Sequence, residues 1–542
     1  MASANRSHSR PAQLGGWRGG LFRLEICAMA DLHPAGHVPV SKPTGLFGRF
    51  LNLVERAGNA LPHPATLFIL FALGVVIFSA ILAAFKVSVA HPTSGEAIHT
   101  VSLLNVAGLH RFMAEMVTNF TSFAPLGSVL VALLGIAVCE HVGLISTALR
   151  RLVLAAPPAL VPAVVVFAGV SSNIGGDIGY VLVIPLAGMV FHATGRHPIA
   201  GLAAAFAGVS GGYSANLIPG LIDPLLAGIS TEAAHIIDPA YQVTVLANWY
   251  FMATSVFLVT GVGTWITVRI VEPRLGAYQG TETPTPLIPP SPIERRGLRF
   301  ASGMALLIAA FTVWGLLPGG FLRDLTRPEL LQAPFFRDLV AWIFFFGVLL
   351  GLAYGYGARV LRNDADIFGG MTKTMETMAS YMVLVFFAAQ FIALFRWTNC
   401  GIVIAVKGAE LLQASGLGAI PLMLAFILLV SFVNLFLGSA SAKWTLLAPV
   451  FIPMFMLLGV SPELVQTAYR IGDSSTNIIT PLMSYFPIVL VMTQRYDRKA
   501  GLGTLLASML PYSIAFLVTW STLIVVWILL GWPVGPGAAL SL

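Results

Sequence analysis

Residues 64–85 contain no charged side chain and only two hydroxyl groups, Thr66 and Ser79. A helix rises 1.5 Å per residue, so about twenty apolar residues match the ~30 Å hydrocarbon core of a bilayer. Comparable runs recur near 124–149, 243–271, 300–318, 339–357, 380–398 and 503–531. Four further stretches, 158–194, 198–231, 419–457 and 462–492, are apolar but each is interrupted by a polar cluster. What lies between the runs is too short for a soluble domain. Charged residues make up 10% of the chain, against about a quarter in a soluble domain, too few to clothe a water-facing surface. The sequence therefore describes an all-α polytopic membrane protein and excludes soluble enzymes, nucleic-acid readers and disordered scaffolds. The net charge of +7 reports orientation, and no nucleic-acid partner is expected. Cys27, Cys139 and Cys400 have neither metal-site nor disulfide spacing.

Residues 1–48 are Gly-, Ser- and Arg-bearing, and are read as a disordered cytoplasmic tail in which Met29 is an alternative start. A first repeat is expected over 49–272. A cytoplasmic linker with five prolines between Thr281 and Arg299, a central span and an outer loop follow over 273–337. A second repeat occupies 338–537, and 538–542 form a C-terminal tail. The positive-inside rule tests this layout. With the N-terminus cytoplasmic and with 158–194 and 419–457 as re-entrant hairpins, Lys and Arg favour the inside by about three to one. Ordinary spans in place of the hairpins would weaken that bias. The expected architecture is about nine transmembrane helices plus two re-entrant hairpins in an inner (cytoplasmic) membrane, N-terminus inside and C-terminus outside.

The two halves echo each other. The first has a hairpin tip at Ser171-Ser172-Asn173 through Asp177, then a broken span with Ser214-Ala215-Asn216 and Pro219. The second has a tip at Ser439, Ser441, Lys443 and Trp444, then a broken span with Asp473-Ser474-Ser475-Thr476-Asn477 and Pro481. An odd number of crossings separates them, so the halves face opposite ways. That is the inverted-repeat plan of secondary transporters. A backbone break inside lipid leaves bare N–H and C=O groups at several kcal/mol each, and survives only where it lines a cavity or binds something. Ser172, Asn173, Ser214, Asn216, Ser439, Ser475 and Asn477 offer hard oxygen ligands that can take Na⁺; no cofactor is expected beyond such an ion, and these groups with the aspartates serve Na⁺ and H⁺ equally well. Half-helix N-termini suit an anionic substrate.

Charges within membrane segments cost roughly 2.5–3.5 kcal/mol each and mark function. Asp177 has no obvious local partner and reads as a cation or proton carrier. Arg470 and Asp473 lie on one helix face, as an ion pair or as a carboxylate clamp and a cation or proton site. Lys443 and Trp444 offer a cation and an aromatic platform, Trp444 stacking on a substrate ring or on Arg470. Asp223 reads as a helix cap near the outer surface. An intramembrane hydrolase at Ser210 in Gly208-Val-Ser-Gly-Gly212 lacks a His partner, and an ion channel does not need the matched breaks.

These residues carry a family resemblance. The stretches VERAGNALPHP (54–64), NFTSFAPLG (119–127), GRHP (195–198) through SAN (214–216), GSASAKW (438–444), AYRIGD (468–473) and NIITP (477–481) closely resemble the AbgT family of p-aminobenzoyl-glutamate transporters. The likeness runs from about Phe50 to Gly537. It implies a homodimer with an elevator-type transport domain. It also implies uptake of p-aminobenzoyl-glutamate, an aromatic dicarboxylate, driven by Na⁺ or H⁺. Cation- or proton-driven efflux of sulfonamide antimetabolites is the alternative, and neither makes the chain an enzyme. Family functional positions fall on Asp177, Ser441, Trp444, Pro462, Arg470, Asp473 and Pro481, with Asn399 in Trp397-Thr-Asn399 a further candidate. Arg470, Lys443 and Trp444 match the carboxylates and ring of that substrate.

Overall fold

Proline opens many of the helices, at positions where its missing N–H costs nothing. The structure, a computed structural model, describes residues 62, 64–90, 97–176, 178–284, 286–323, 333–481, 483 and 485–542. Helix α1 spans Pro64–Ala84. A small antiparallel ribbon follows, β1 (Ser88–Ala90) and β2 (Ala97–His99), with Val89 opposite Ile98. It is the one sheet among the described residues. Next come α2 (Val106–Thr121), α3 (Ala124–His141) and α4 (Leu144–Leu154).

The first hairpin has α5 (Val161–Ser172) as one arm, a 3₁₀ turn at Asn173–Gly175, and a return arm formed by a π turn at Gly179–Val183 and α6 (Ile184–Ala193). The first broken element is α7 (Pro198–Phe206), a π turn at Ala207–Gly211, an unwound stretch, and α8 (Ile222–Ala234). Helix α9 (Trp249–Ile266) continues through a π turn into α10 (Glu272–Leu275). Then follow α11 (Pro292–Leu316), α12 (Pro334–Arg337), α13 (Leu339–Gly357), α14 (Asp364–Thr377), α15 (Ala379–Trp397) and α16 (Cys400–Ala414). The second hairpin is α17 (Ala419–Asn434) and α18 (Ala440–Met456). The second broken element is α19 (Pro462–Asn477) and α20 (Phe486–Tyr496), and α21 (Leu502–Leu530) ends the series.

Seven helices or continuous helix runs among the described residues are long and apolar enough to cross a membrane. Two expectations need redrawing. The span expected at 124–149 stops at His141, because Gly143 turns into the left-handed region at φ 84° and α4 begins anew. Helix α4 carries Arg150, which pairs with Glu294 at 2.5 Å. Helix α2 escaped a hydropathy reading because His110, Arg111, Glu115 and Asn119 dilute its apolar face.

The packing separates into distinct cores. The hairpins and broken elements share one large core with α9 and α21, including Phe191, Phe206, Phe251, Trp444, Tyr469 and Trp520. Hairpin arm and broken element approach closely at Gly169, where an added Cβ would stand 2.9 Å from the Ala205 carbonyl oxygen. Such small-residue seams replace the hydrophobic effect as the basis of helix association in lipid. A second core joins α1 to α15 through Phe68, Phe71 and Phe391. A third holds Val142, Leu298 and Tyr354, from the α3, α11 and α13 region.

Candidate functional site

Every residue of α19 is buried, including Glu463, Gln466, Thr467, Arg470, Asp473, Ser474, Ser475, Thr476 and Asn477. A helix that polar is stable inside a membrane protein only if neighbours supply partners. Arg470 Nη2 lies 2.5 Å from Asp223 Oδ1 at the start of α8. The other Asp223 oxygen accepts from Asn216 Nδ2 and from the Gly220 N–H, both at 2.6 Å. The unwound stretch between α7 and α8 therefore wraps a carboxylate, which in turn holds the guanidinium. Arg470 Nη1 and Gln466 Nε2 both donate to Asn248 Oδ1, at 3.4 and 2.6 Å. Gln466 Oε1 accepts from Ser230 Oγ at 2.6 Å, and Ser230 Oγ accepts from Trp444 Nε1 at 3.0 Å. One hydrogen-bonded chain thus runs from Trp444 in the second hairpin to Asn216 in the first broken element.

Further along α19, Lys443 Nζ sits 2.6 Å from Asp473 Oδ1. It also donates to Asn434 Oδ1 and, at 3.3 Å, to the Leu437 carbonyl. Lys443 and Asp473 expose 0% and 1% of their side chains, so neither charge is solvated by bulk water. Leaving either without the other would cost several kcal/mol.

These contacts revise three expectations. Arg470 and Asp473 do not pair with each other. They lie in line along α19, and each meets an opposite charge from a facing helix, Asp223 from α8 and Lys443 from α18. Asp223 is no surface cap, being 4% exposed and bound to Arg470. Trp444 stacks on Tyr469, with centroids 4.3 Å apart at 30°, and not on Arg470. Tyr469 is fixed by its hydroxyl donating to the Ala440 carbonyl at 2.6 Å.

The remaining expected residues fall as follows. Ser172 Oγ donates to the Gly169 carbonyl, and Asn173 Nδ2 to the carbonyls of Val170 and Gly212. The Ser214 N–H donates to Ser474 Oγ at 3.1 Å, joining the two broken elements at their centre. Ser475 and Asn477 belong to the last turn of α19 and not to an unwound stretch. The hydroxyls of Ser475 and Thr476 are satisfied within the helix by donating to the Ile471 and Gly472 carbonyls. Ser439 caps α18 and lies 3.2 Å from the Ser441 hydroxyl on the hairpin tip. Pro462 starts α19 behind its cap Ser461, and Pro481 lies in the gap before α20. Asn399 sits apart, in a left-handed turn at φ 60° with its amide on the His99 carbonyl. Asp177 lies outside the described residues.

Sequence reasoning did not name Asn248, Ser230, Gln466, Asn434 or Tyr469 for the site. Asn434 had a signal, being a lone amide in the apolar run 419–437. Among the described residues no three His, Cys, Asp or Glu side chains gather as a metal cluster. The oxygens present are amide, hydroxyl and carbonyl, with the carboxylates of Asp223 and Asp473 already paired with Arg470 and Lys443.

Residues 49–542 match the AbgT putative transporter family. The chain belongs to that family. This AbgT-family chain is 42% identical over 491 residues to the p-aminobenzoyl-glutamate transport protein of Escherichia coli (strain K12), covering 90% of this chain and 96% of that relative. It is similar to the Alcanivorax borkumensis YdaH transporter, a structure of unusual topology, with 47% identity, a TM-score of 0.84, and 88% and 100% of the two chains covered. It is also similar to Neisseria gonorrhoeae MtrF, whose structure illuminates a class of antimetabolite efflux pumps. There the identity is 48% and the TM-score 0.86, covering 90% of this chain and 100% of MtrF. The AbgT-family protein described here is thus a multi-pass membrane transporter, with the buried polar network at the meeting point of its hairpins and broken elements.

Proposed function

We propose that this transporter carries p-aminobenzoyl-glutamate by secondary active transport, coupled to Na⁺ or H⁺, across the inner membrane. The observation that carries the reading is the buried junction where Arg470–Asp223, Lys443–Asp473 and the Trp444–Tyr469 stack adjoin. The relative at 42% identity is named for that substrate. The substrate's carboxylates suit a guanidinium fork and its ring suits an aromatic face.

In the arrangement seen, Arg470 already holds a carboxylate of its own chain. A substrate carboxylate therefore enters by exchange, taking Arg470 from Asp223. The displaced Asp223 then carries a buried, uncompensated charge, and a proton or Na⁺ neutralises it. Exchange links entry of the carboxylate that pairs with Arg470 to entry of one cation at Asp223, and the substrate's second carboxylate calls for a second cation or proton to keep the site neutral. The coupling ion is cargo on this reading, and Asp177, Ser172 and Asn173 of the first tip contribute to its path. The hairpins and broken elements move as one body against the α1–α15 and α3–α11–α13 cores, in an elevator-like step within a homodimer of nine spans and two hairpins per subunit.

A second reading, efflux of sulfonamide antimetabolites, is favoured by the likeness to MtrF. Catalysis at Ser210 has no support in its surroundings, where the hydroxyl donates to the Met483 thioether at 3.2 Å.

The test is uptake of labelled p-aminobenzoyl-glutamate into proteoliposomes under a Na⁺ gradient or a pH gradient, each imposed alone. Saturable accumulation under one gradient, lost in Asp223→Asn, fixes substrate and ion together. Counterflow of a sulfonamide without accumulation under either gradient overturns the uptake reading in favour of efflux.

A further inference from the structure

At a spacing of 261 positions the two halves pair Asn173 with Asn434, Ser214 with Ser475, and Asn216 with Asn477. The same spacing pairs Gly212 with Asp473 and Leu182 with Lys443. Hydrogen bonds follow the correspondence. Asn173, at the end of α5, donates from Nδ2 to the Gly212 carbonyl at 3.3 Å. Asn434, at the end of α17, donates from Nδ2 to the Asp473 carbonyl at 2.7 Å. In each half, one asparagine ties the first hairpin arm to the same point of the broken element.

The amide oxygens have different fates. Because each Nδ2 faces carbonyls, each Oδ1 is turned away from them and presents its lone pairs to another group. Asn434 Oδ1 accepts from Lys443 Nζ. Asn173 Oδ1 is buried and meets no donor among the described residues, its side chain lying in a residue only 9% exposed. The Lys443 ammonium is ringed by oxygen: the amide of Asn434, the Leu437 carbonyl at 3.3 Å and Asp473 Oδ1 at 2.6 Å. The carbonyls at the end of α17 add the negative pole of a helix. Carboxylate, amide and carbonyl oxygens at a helix C-terminus are the ligands a free monovalent cation takes. Here a side chain supplies the cation. The lysine and the aspartate are both peculiar to the second half, so the ammonium and its counter-charge come as a set.

We propose that Lys443 is a tethered cation, filling at the second hairpin tip the position that an exchangeable cation takes at the first. The inference rests on the cation-coupled reading above. It takes Lys443 out of the substrate contacts and makes it a positioning residue that holds the second tip closed in every salt. Of the two repeat-related tips, one then carries an exchangeable cation position and the other a fixed one.

Amide hydrogen exchange on the full chain in nanodiscs tests this, comparing NaCl with choline chloride at equal ionic strength. In the wild type, peptides over 434–443 are expected to exchange equally in both salts. In Lys443→Ala the same peptides should exchange faster in choline and slow about tenfold when Na⁺ reaches ten times its dissociation constant. Ethylammonium chloride, a fragment of the missing side chain, should slow them as well. Lys443→Ala with Asp473→Asn removes the carboxylate and should lose both effects. Na⁺-sensitive exchange at the second tip of the wild type overturns the proposal, and that arm needs no variant to fold. So does Lys443→Ala exchange that is the same in Na⁺, ethylammonium and choline. Peptides over the first tip report separately: if they ignore Na⁺, Na⁺ coupling fails, while the second-tip result stands on its own.

Discussion

Helices α1 and α19 are opposites. Helix α1 carries no charge and only the hydroxyls of Thr66 and Ser79, and only Ala65, Phe68, Val75 and Ser79 of its residues are buried. Helix α19 is the most polar long helix of the hairpin core, and all of it is buried. In water the first would be a core helix and the second a surface helix. In a bilayer the solvent is apolar, so hydrophobicity no longer predicts burial, and polarity does. The comparison teaches that the stabilising interactions of the two helices differ in kind. The apolar side chains of α1 are mostly exposed and suit lipid surroundings without specific partners. Helix α19 depends on named partners, each of which can be removed.

The sharpest break comes from Arg470→Ala. It leaves Asp223 buried with only Asn216 and Gly220, and should cost about 3–5 kcal/mol. Thermal unfolding in detergent should fall accordingly and transport should be lost. Partial recovery of stability without transport in Arg470→Gln with Asp223→Asn separates charge balance from substrate binding. If Arg470→Ala unfolds like the wild type, the pair is not a stabilising element. A smaller effect is expected from Trp444→Phe, which keeps the stack on Tyr469 but loses the bond to Ser230, at about 1 kcal/mol.

At the rim of the same core, His197 caps α7 by accepting the Ile199 N–H on Nδ1. Burial holds its imidazole below the ordinary 6.5; Asp497 opposes this and His192 adds to it. The folded protein therefore favours the neutral ring, and the unfolded chain takes up the proton first. Stability from this cap should be present above pH ~6.5 and decline as the pH falls from there through the lowered folded value. His197→Asn keeps a capping oxygen and should flatten that part of the pH–stability profile. An unchanged profile would show that the ring's titration does not matter to the fold. On the lipid side, Leu73→Ala in α1, at a side chain 56% exposed, should change stability by less than about 0.5 kcal/mol. A cost of 2 kcal/mol or more, about that of a buried leucine, would mean that another protein surface covers α1.

The sequence made the membrane class, the two hairpins and the matched breaks legible, because each is a local pattern: an apolar run, or a polar cluster inside one. Partner choice was not local. Arg470 and Asp473 stand three residues apart and read as a pair, yet their partners are 247 and 30 positions away along the chain. Asp223 followed by Pro224 reads as the cap or end of a helix near the outer surface, whereas it lies in the first turn of α8, and nothing local tells that the carboxylate points inward to Arg470. Helix α2 was missed because its charges fall on one face, which a window average cannot see. Family membership came through directly, since motifs such as GSASAKW and AYRIGD are long enough to be specific.

The last ten residues have a practical side. Ser461, the cap of α19, donates its N–H to the Leu540 carbonyl and its hydroxyl to the Ala539 carbonyl, while the Leu542 N–H returns to Gly459. Residues 539–542 are thereby stitched to the start of the helix that carries Arg470 and Asp473. A tag or fluorescent fusion joined to residues 539–542 would pull on that stitch, and altered transport would then come from the start of α19 and not from the site's own side chains. Labels for single-molecule or cellular work belong instead on the 273–291 linker, whose residues are largely exposed.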